Sequence, residues 1–236
     1  MRHETLREQV CDANLRLVDE GLVTLTWGNV SGIDRAAGVV AIKPSGVSYR
    51  ELSPASIVLV DLDGNVIEGA ARPSSDTPTH TLLYRHFPSI GGVTHTHSPN
   101  ATAFAQARRP IPCLGTTHAD HFAGPVPVTR CLGPREVDAG YELATGASIV
   151  ERFGDVDPVA MPAVLVAGHA PFTWGATATE SVANAIALEA VAGMALATGF
   201  IRNDTLELEE HVRAKHHARK HGPDAYYGQT VSEDPS

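Results

Sequence analysis

A chain of 236 residues, 43% hydrophobic and 19% charged, has enough apolar content for one large buried core. Its formal charge of −9 excludes the basic surface of a general nucleic-acid binder, so any anionic ligand must be met by locally gathered positive groups. Three scattered cysteines, Cys11, Cys113 and Cys131, form no CxxC pair and suggest neither a zinc ribbon nor a disulfide framework. The opening residues, Met1 to Glu8, lack an apolar leader, and the Ala- and Gly-rich stretch from Val182 to Phe200 is broken by Asn184 and Glu189. A cytoplasmic protein with no membrane span is expected.

In chain order, Leu6, Val10, Ala13 and Leu17 recur at helical spacing, with Gly21 placed to close the helix. Short β-rich pieces follow at Val23 to Thr26, Val39 to Lys43 and Ile57 to Asp61, the last meeting the hairpin signal Asp63-Gly64-Asn65 before Val66-Ile67. A helix is expected to start near Ser75-Asp76, with Pro78 in its first turn. Gly91 to His97 reads as a strand, and Ser98-Pro99 opens another helix. Val126 to Thr129 and Val164 to Ala167 read as strands. Arg135 to Phe153, Thr179 to Thr198 and Leu206 to Lys220 read as helices. Interleaved elements make an α/β layered domain, and connections too short for crossover helices predict a largely antiparallel or mixed sheet.

His95 and His97 stand two apart at the end of a predicted strand, so both imidazoles project from one face. His169 follows the apolar run Val164 to Ala167, and Asp76 lies at a helix start just before the His95 strand. Each has an ordinary structural role available: core histidines, a turn histidine before Pro171, a helix N-cap. Together, three imidazoles and one carboxylate suit Zn²⁺, with Mn²⁺ or Co²⁺ as substitutes. Three small-residue clusters, around Thr26 to Asn29, Lys43 to Gly46 and Ser74-Ser75, offer hydroxyls, backbone N–H groups and one ammonium for an anion. None is a nucleotide-binding fingerprint.

Long segments then resemble the L-ribulose-5-phosphate 4-epimerase family of the class II aldolase/adducin superfamily. They are Thr24 to Ser31, Ile42 to Val47, Pro73 to His80, His95 to Ser98, Gly115 to Asp120 and Lys220 to Gly222 with Ala225 to Gln229. The resemblance implies one α/β domain over residues 1–229, and the polar composition of 230–236 predicts a disordered tail. It implies a homotetramer with active sites at subunit interfaces, and a phosphorylated pentulose as substrate. Carried onto this sequence, the metal ligands are Asp76, His95, His97 and His169. The phosphate contacts are Asn29, Lys43, Ser45, Gly46, Ser74 and Ser75, with Thr26 near them. Asp120, from the neighbouring subunit, and Tyr227 match the acid/base pair, and Thr116 and Glu142 line or support the site. The reaction implied is interconversion of L-ribulose 5-phosphate and D-xylulose 5-phosphate by retro-aldol cleavage, with L-arabinose breakdown as its natural setting. The alternatives are an aldolase of the L-fuculose 1-phosphate type, which carries Glu where Asp76 stands, or an epimerase acting on a related pentulose phosphate. The sequence departs from the family pattern at Ala167 and Ala170 beside His169 and in seven residues beyond Gln229.

Overall fold

The first helix forms where its apolar spacing places it. In the computed structural model, which describes residues 3–202, 204, 206–221 and 225–226, α1 (Glu4–Asp19) buries Val10, Ala13 and Leu17. Gly21 at φ 67° closes it, donating to Val18 O at 3.0 Å while Leu22 N–H reaches Leu17 O at 2.9 Å. This is the paired C-terminal closure that a left-handed glycine permits.

Among the described residues seven strands follow: β1 (Asn29–Asp34), β2 (Val39–Ile42), β3 (Val58–Asp61), β4 (Val66–Glu68), β5 (Gly92–His95), β6 (Ala163–Leu165) and β7 (Pro171–Gly175). They form one sheet in the order β4-β3-β2-β1-β5-β7-β6, with every neighbouring pair antiparallel. Alternation along the strands sorts the core into two sides. Val39, Ala41 and Leu59 pack with α1 and with Val182 and Ala185 of α6 (Ala178–Ile201). Val40, Val58, Val60 and Val93 pack with Leu83 and Tyr84 of α2 (Thr77–His86) and Ile149 of α5 (Pro134–Arg152). The result has three layers, helices on both faces of an antiparallel sheet, and is of the layered α/β class expected. Among the described residues α6 alone passes for a membrane span by length and hydropathy, yet its Val182, Leu188 and Val191 are buried in the core, where the helix packs beside α3 (Pro99–Ala107).

Two expected strands are corrected. Val23 to Thr26 is no strand: Trp27 N–H donates to Thr24 O at 3.0 Å, Leu25 turns left-handed at φ 55°, and pairing starts only at Asn29. The central β1 was hidden by its polar sequence, Asn-Val-Ser-Gly-Ile-Asp, which the fold satisfies internally. Ser31 Oγ bonds His80 Nδ1 and Tyr84 OH at 2.7 and 2.8 Å, and Asn14 Oδ1 accepts from Val30 N–H at 2.9 Å. Val126 to Thr129 makes only isolated bridges, to Ile111 and Leu165, because Pro125 and Pro127 remove ladder donors. The unforeseen β7 begins with a proline, which concealed it.

Candidate active site

His95 ends β5, and antiparallel pairing sets it opposite Asn29 on one side and Phe172 on the other. Its ring stacks on Phe172, centroids 4.2 Å apart at 18°. Its Nδ1 lies 2.9 Å from Pro171 O. A carbonyl can only accept, so Nδ1 carries a proton, and in the neutral imidazole Nε2 is then the nitrogen that offers a lone pair. That nitrogen faces His97 Nε2 at 3.2 Å. His169 comes in from the β6–β7 turn, where Gly168 takes φ 74°, and its ring stands 4.9 Å from His95 and 5.0 Å from His97. One ring nitrogen from each of the three, able to serve as a metal ligand, lies within 4.8 Å of the others.

The donor set fits a metal ion. Two nitrogens bound tetrahedrally at about 2.0–2.1 Å from zinc stand roughly 3.3 Å apart, close to the His95–His97 separation. His169 Nδ1 is buried without a hydrogen-bond partner. Burial first, then repulsion from neighbouring imidazoles, pushes both His97 and His169 down to about 4, so both are neutral donors at neutral pH. The hydrogen bond from His95 Nδ1 is the outer-shell contact that orients a ligating imidazole.

Asp76 sits in the N-cap position of α2, yet its side chain makes no capping bond. Its Oδ2 instead accepts from Asn29 Nδ2 at 2.7 Å. Burial opposes its ionisation, but the imidazoles of His95 and His80 and the Asn29 amide outweigh that, holding its carboxyl below the usual range. Asp76 shares the cavity with the imidazoles but is not part of their close cluster. His80, one turn further along α2, is fully buried, and desolvation pushes it down to about 3.

The cavity holds about 550 Å³ and gathers most of the residues singled out from sequence. Thr26, Asn29, Lys43, Ser45, Gly46, Ser74, Ser75, Asp76, His95, His97, Glu142 and His169 all line it. Lys43 and Ser74 meet because Ser74 N–H donates to Lys43 O at 3.0 Å while Ser45 N–H donates to Arg72 O at 2.9 Å. Lys43 is 2% exposed, and desolvation lowers its pKa. Its ammonium lies over the Tyr49 ring at 4.7 Å and near the Thr26 and Pro44 carbonyls at 3.5 and 3.4 Å. A buried cation so thinly partnered favours an incoming anion.

Trp27 and Tyr141 also line the cavity and were not picked from sequence. Tyr141 follows Gly140, whose φ of 147° breaks α5. That break could have been suspected from a mid-helix glycine, but its consequence depends on tertiary packing. Thr116 and Asp120 do not line this cavity. They lie at α4 (Thr116–Ala119), packed on α7 (Glu210–His221), where Arg219 grips Asp120 with Nε at 2.8 Å and Nη2 at 2.5 Å, and His216 Nδ1 stands at 3.1 Å. Tyr227 and the 230–236 tail lie outside the described residues.

Fold and site together are thus an antiparallel sheet carrying three clustered imidazoles near one strand end, beside a buried lysine. The chain belongs to the Class II Aldolase and Adducin N-terminal domain family, which it matches over residues 8–196. It is 52% identical to the L-ribulose-5-phosphate 4-epimerase UlaF of Salmonella typhi and of Salmonella paratyphi C, over 96% of this chain and 99% of theirs. Among solved structures it resembles an L-fuculose 1-phosphate aldolase (TM-score 0.77, 24% identity, 93% of this chain and 97% of that one). It also resembles the L-fuculose 1-phosphate aldolase of Glaciozyma antarctica (TM-score 0.75, 19% identity, 92% and 81%). At these identities the structures establish the fold.

Proposed function

We propose that this protein is a metal-dependent L-ribulose-5-phosphate 4-epimerase, interconverting that sugar with D-xylulose 5-phosphate. The observation that carries the reading is the pairing, in one cavity, of an imidazole triad with a buried ammonium set for a phosphate. The 52% identical relatives support the epimerase over an aldolase. His95, His97 and His169, with Asp76, hold the ion, for which zinc is the first choice. The working form is a cytoplasmic homotetramer, serving L-arabinose breakdown.

The hydrogen on C4 is not acidic, so simple deprotonation cannot invert that centre, whereas breaking and re-forming the C3–C4 bond can. When bound, a divalent ion stabilises the negative charge that develops on the ketose oxygens as that bond breaks. Lys43, Ser45 and the N–H groups around Ser74 and Ser75 anchor the phosphate, with Asn29 and Thr26 at the edge. One group removes the C4 hydroxyl proton, the bonding pair moves to C3, and the leaving fragment is glycolaldehyde phosphate. That aldehyde turns its other face to C3, and a group on the opposite side protonates the new alkoxide. Asp120 of a neighbouring subunit and Tyr227 fill these two roles, supported by Thr116 and Glu142. In its own subunit Asp120 stands apart from the cavity, consistent with its serving another.

Incubation of metal-loaded protein with L-ribulose 5-phosphate and, separately, L-fuculose 1-phosphate tests the assignment. Formation of D-xylulose 5-phosphate from the first and no cleavage of the second is expected. Cleavage of the second with no epimer from the first would make the protein an aldolase.

A further inference from the structure

We propose that Trp27 is the residue that retains the cleaved aldehyde, its indole covering the two-carbon fragment while that fragment turns over. The inference rests on the epimerase reading. Such a reaction needs more than cleavage: the fragment must rotate inside the cavity without leaving it.

Trp27 is the large apolar side chain at the right place. It lines the cavity, yet its surface is 52% exposed. Its exposure does not come from a loose backbone. Tyr49 OH donates to both Trp27 O and Gly28 O at 2.9 Å, and Gly28, at φ 78°, packs so close to β5 that a Cβ would lie 2.9 Å from His95 O. The same turn touches both ends of the site. Thr26 O lies 3.5 Å from the Lys43 ammonium, and the Trp27 ring stands 6.1 Å from that of His97. A fragment with its phosphate at Lys43 and its carbonyl carbon near the imidazoles would occupy the cavity that Trp27 lines. The turn also passes through Leu25, a non-glycine residue at φ 55° and 76% exposed, a conformation kept only where surrounding structure imposes it. An indole face held half-open by a pinned turn gains by being covered with a carbon chain.

Two readouts test this on the metal-loaded enzyme. The chain has two tryptophans, and Trp174 is 1% exposed, so iodide quenching reports on Trp27. Glycolaldehyde phosphate is expected to protect the emission from iodide, and inorganic phosphate, which carries no carbon, is not. Equal protection by both, or an indole already shielded without ligand, overturns the assignment. The second readout is partitioning. Trp27→Ala is expected to raise the glycolaldehyde phosphate released per epimer formed by at least about tenfold, equivalent to about 1.4 kcal/mol of retention. Trp27→Phe, which keeps an aromatic face, is expected to stay near wild type. An active wild type whose Trp27→Ala variant leaks no more overturns the role of Trp27. A wild type that forms no epimer overturns instead the reading on which it rests, and the quenching result then decides on its own whether the indole covers a sugar-phosphate fragment.

Discussion

Replacing Lys43 by methionine separates stability from binding, because the residue is set for a ligand and poorly served by the protein. Its ammonium is almost fully buried, no carboxylate pairs with it among the described residues, and its carbonyl contacts of 3.4 and 3.5 Å are longer than good hydrogen bonds. The Tyr49 ring at 4.7 Å offsets only part of the desolvation. Methionine fills similar volume without charge, so Lys43→Met is expected to stabilise the ligand-free protein by roughly 1 kcal/mol. For a chain of this size that is a rise of about 2–4 °C in Tm. The same change removes a charge-assisted contact to phosphate worth about 2–3 kcal/mol, a loss of about 30- to 150-fold in affinity. At phosphate 100 times the wild-type Kd, ligand stabilises wild type by about 2.7 kcal/mol, whereas the variant gains under about 1 kcal/mol. Thermal melts of both proteins with and without inorganic phosphate read all of this. A variant that melts lower without phosphate, or that keeps the full phosphate response, would refute the reasoning.

Three other perturbations probe separate parts of the account. Gly28→Ala places a Cβ 2.9 Å from His95 O at a positive φ, displacing the end of β5. Metal affinity, measured against a competing chelator, is expected to fall by about 10- to 100-fold, as for losses of ligand support, and unchanged affinity would contradict it. Asp120→Asn is expected to lower turnover by about 10²- to 10⁴-fold with metal content intact, and loss of the metal would remove Asp120 from its proposed role. His121 is held neutral near a pKa of about 4, chiefly by burial and then by Lys220, against an ordinary 6.5. The unfolded chain therefore binds the extra proton first, so stability is full above about pH 6.5 and falls as pH drops towards 4. Wild type is expected to lose more Tm over that window than His121→Gln, and parallel Tm–pH curves would contradict it.

Much of the site was legible because its chemistry is written locally. Two histidines two apart at a strand end, and an aspartate at a helix start, are positioned by secondary structure alone, and the fold brings His169 to them through the β6–β7 turn. What escaped were features set by packing between distant elements. β1 carries Asn29, Ser31 and Gly32, which look unlike a central strand until α1 lies on Gly32, with Val10 Cγ2 2.9 Å from where a Cβ would be, and His80 reaches Ser31. Trp27 was read within a cluster of turn residues, and its orientation towards His97 follows from the Tyr49 bonds that pin its backbone. Asp120 illustrates a different limit, since its place in the sequence does not show that within this subunit it is bound by Arg219 and His216 and does not line the cavity.

The most direct test of the central claim is to run the reaction in D₂O with metal-loaded protein and L-ribulose 5-phosphate, following C4 of the product by NMR. Carbon–carbon cleavage predicts D-xylulose 5-phosphate that keeps its original hydrogen at C4. Deuterium at C4 would mean that the carbon was deprotonated, and the retro-aldol account would be wrong.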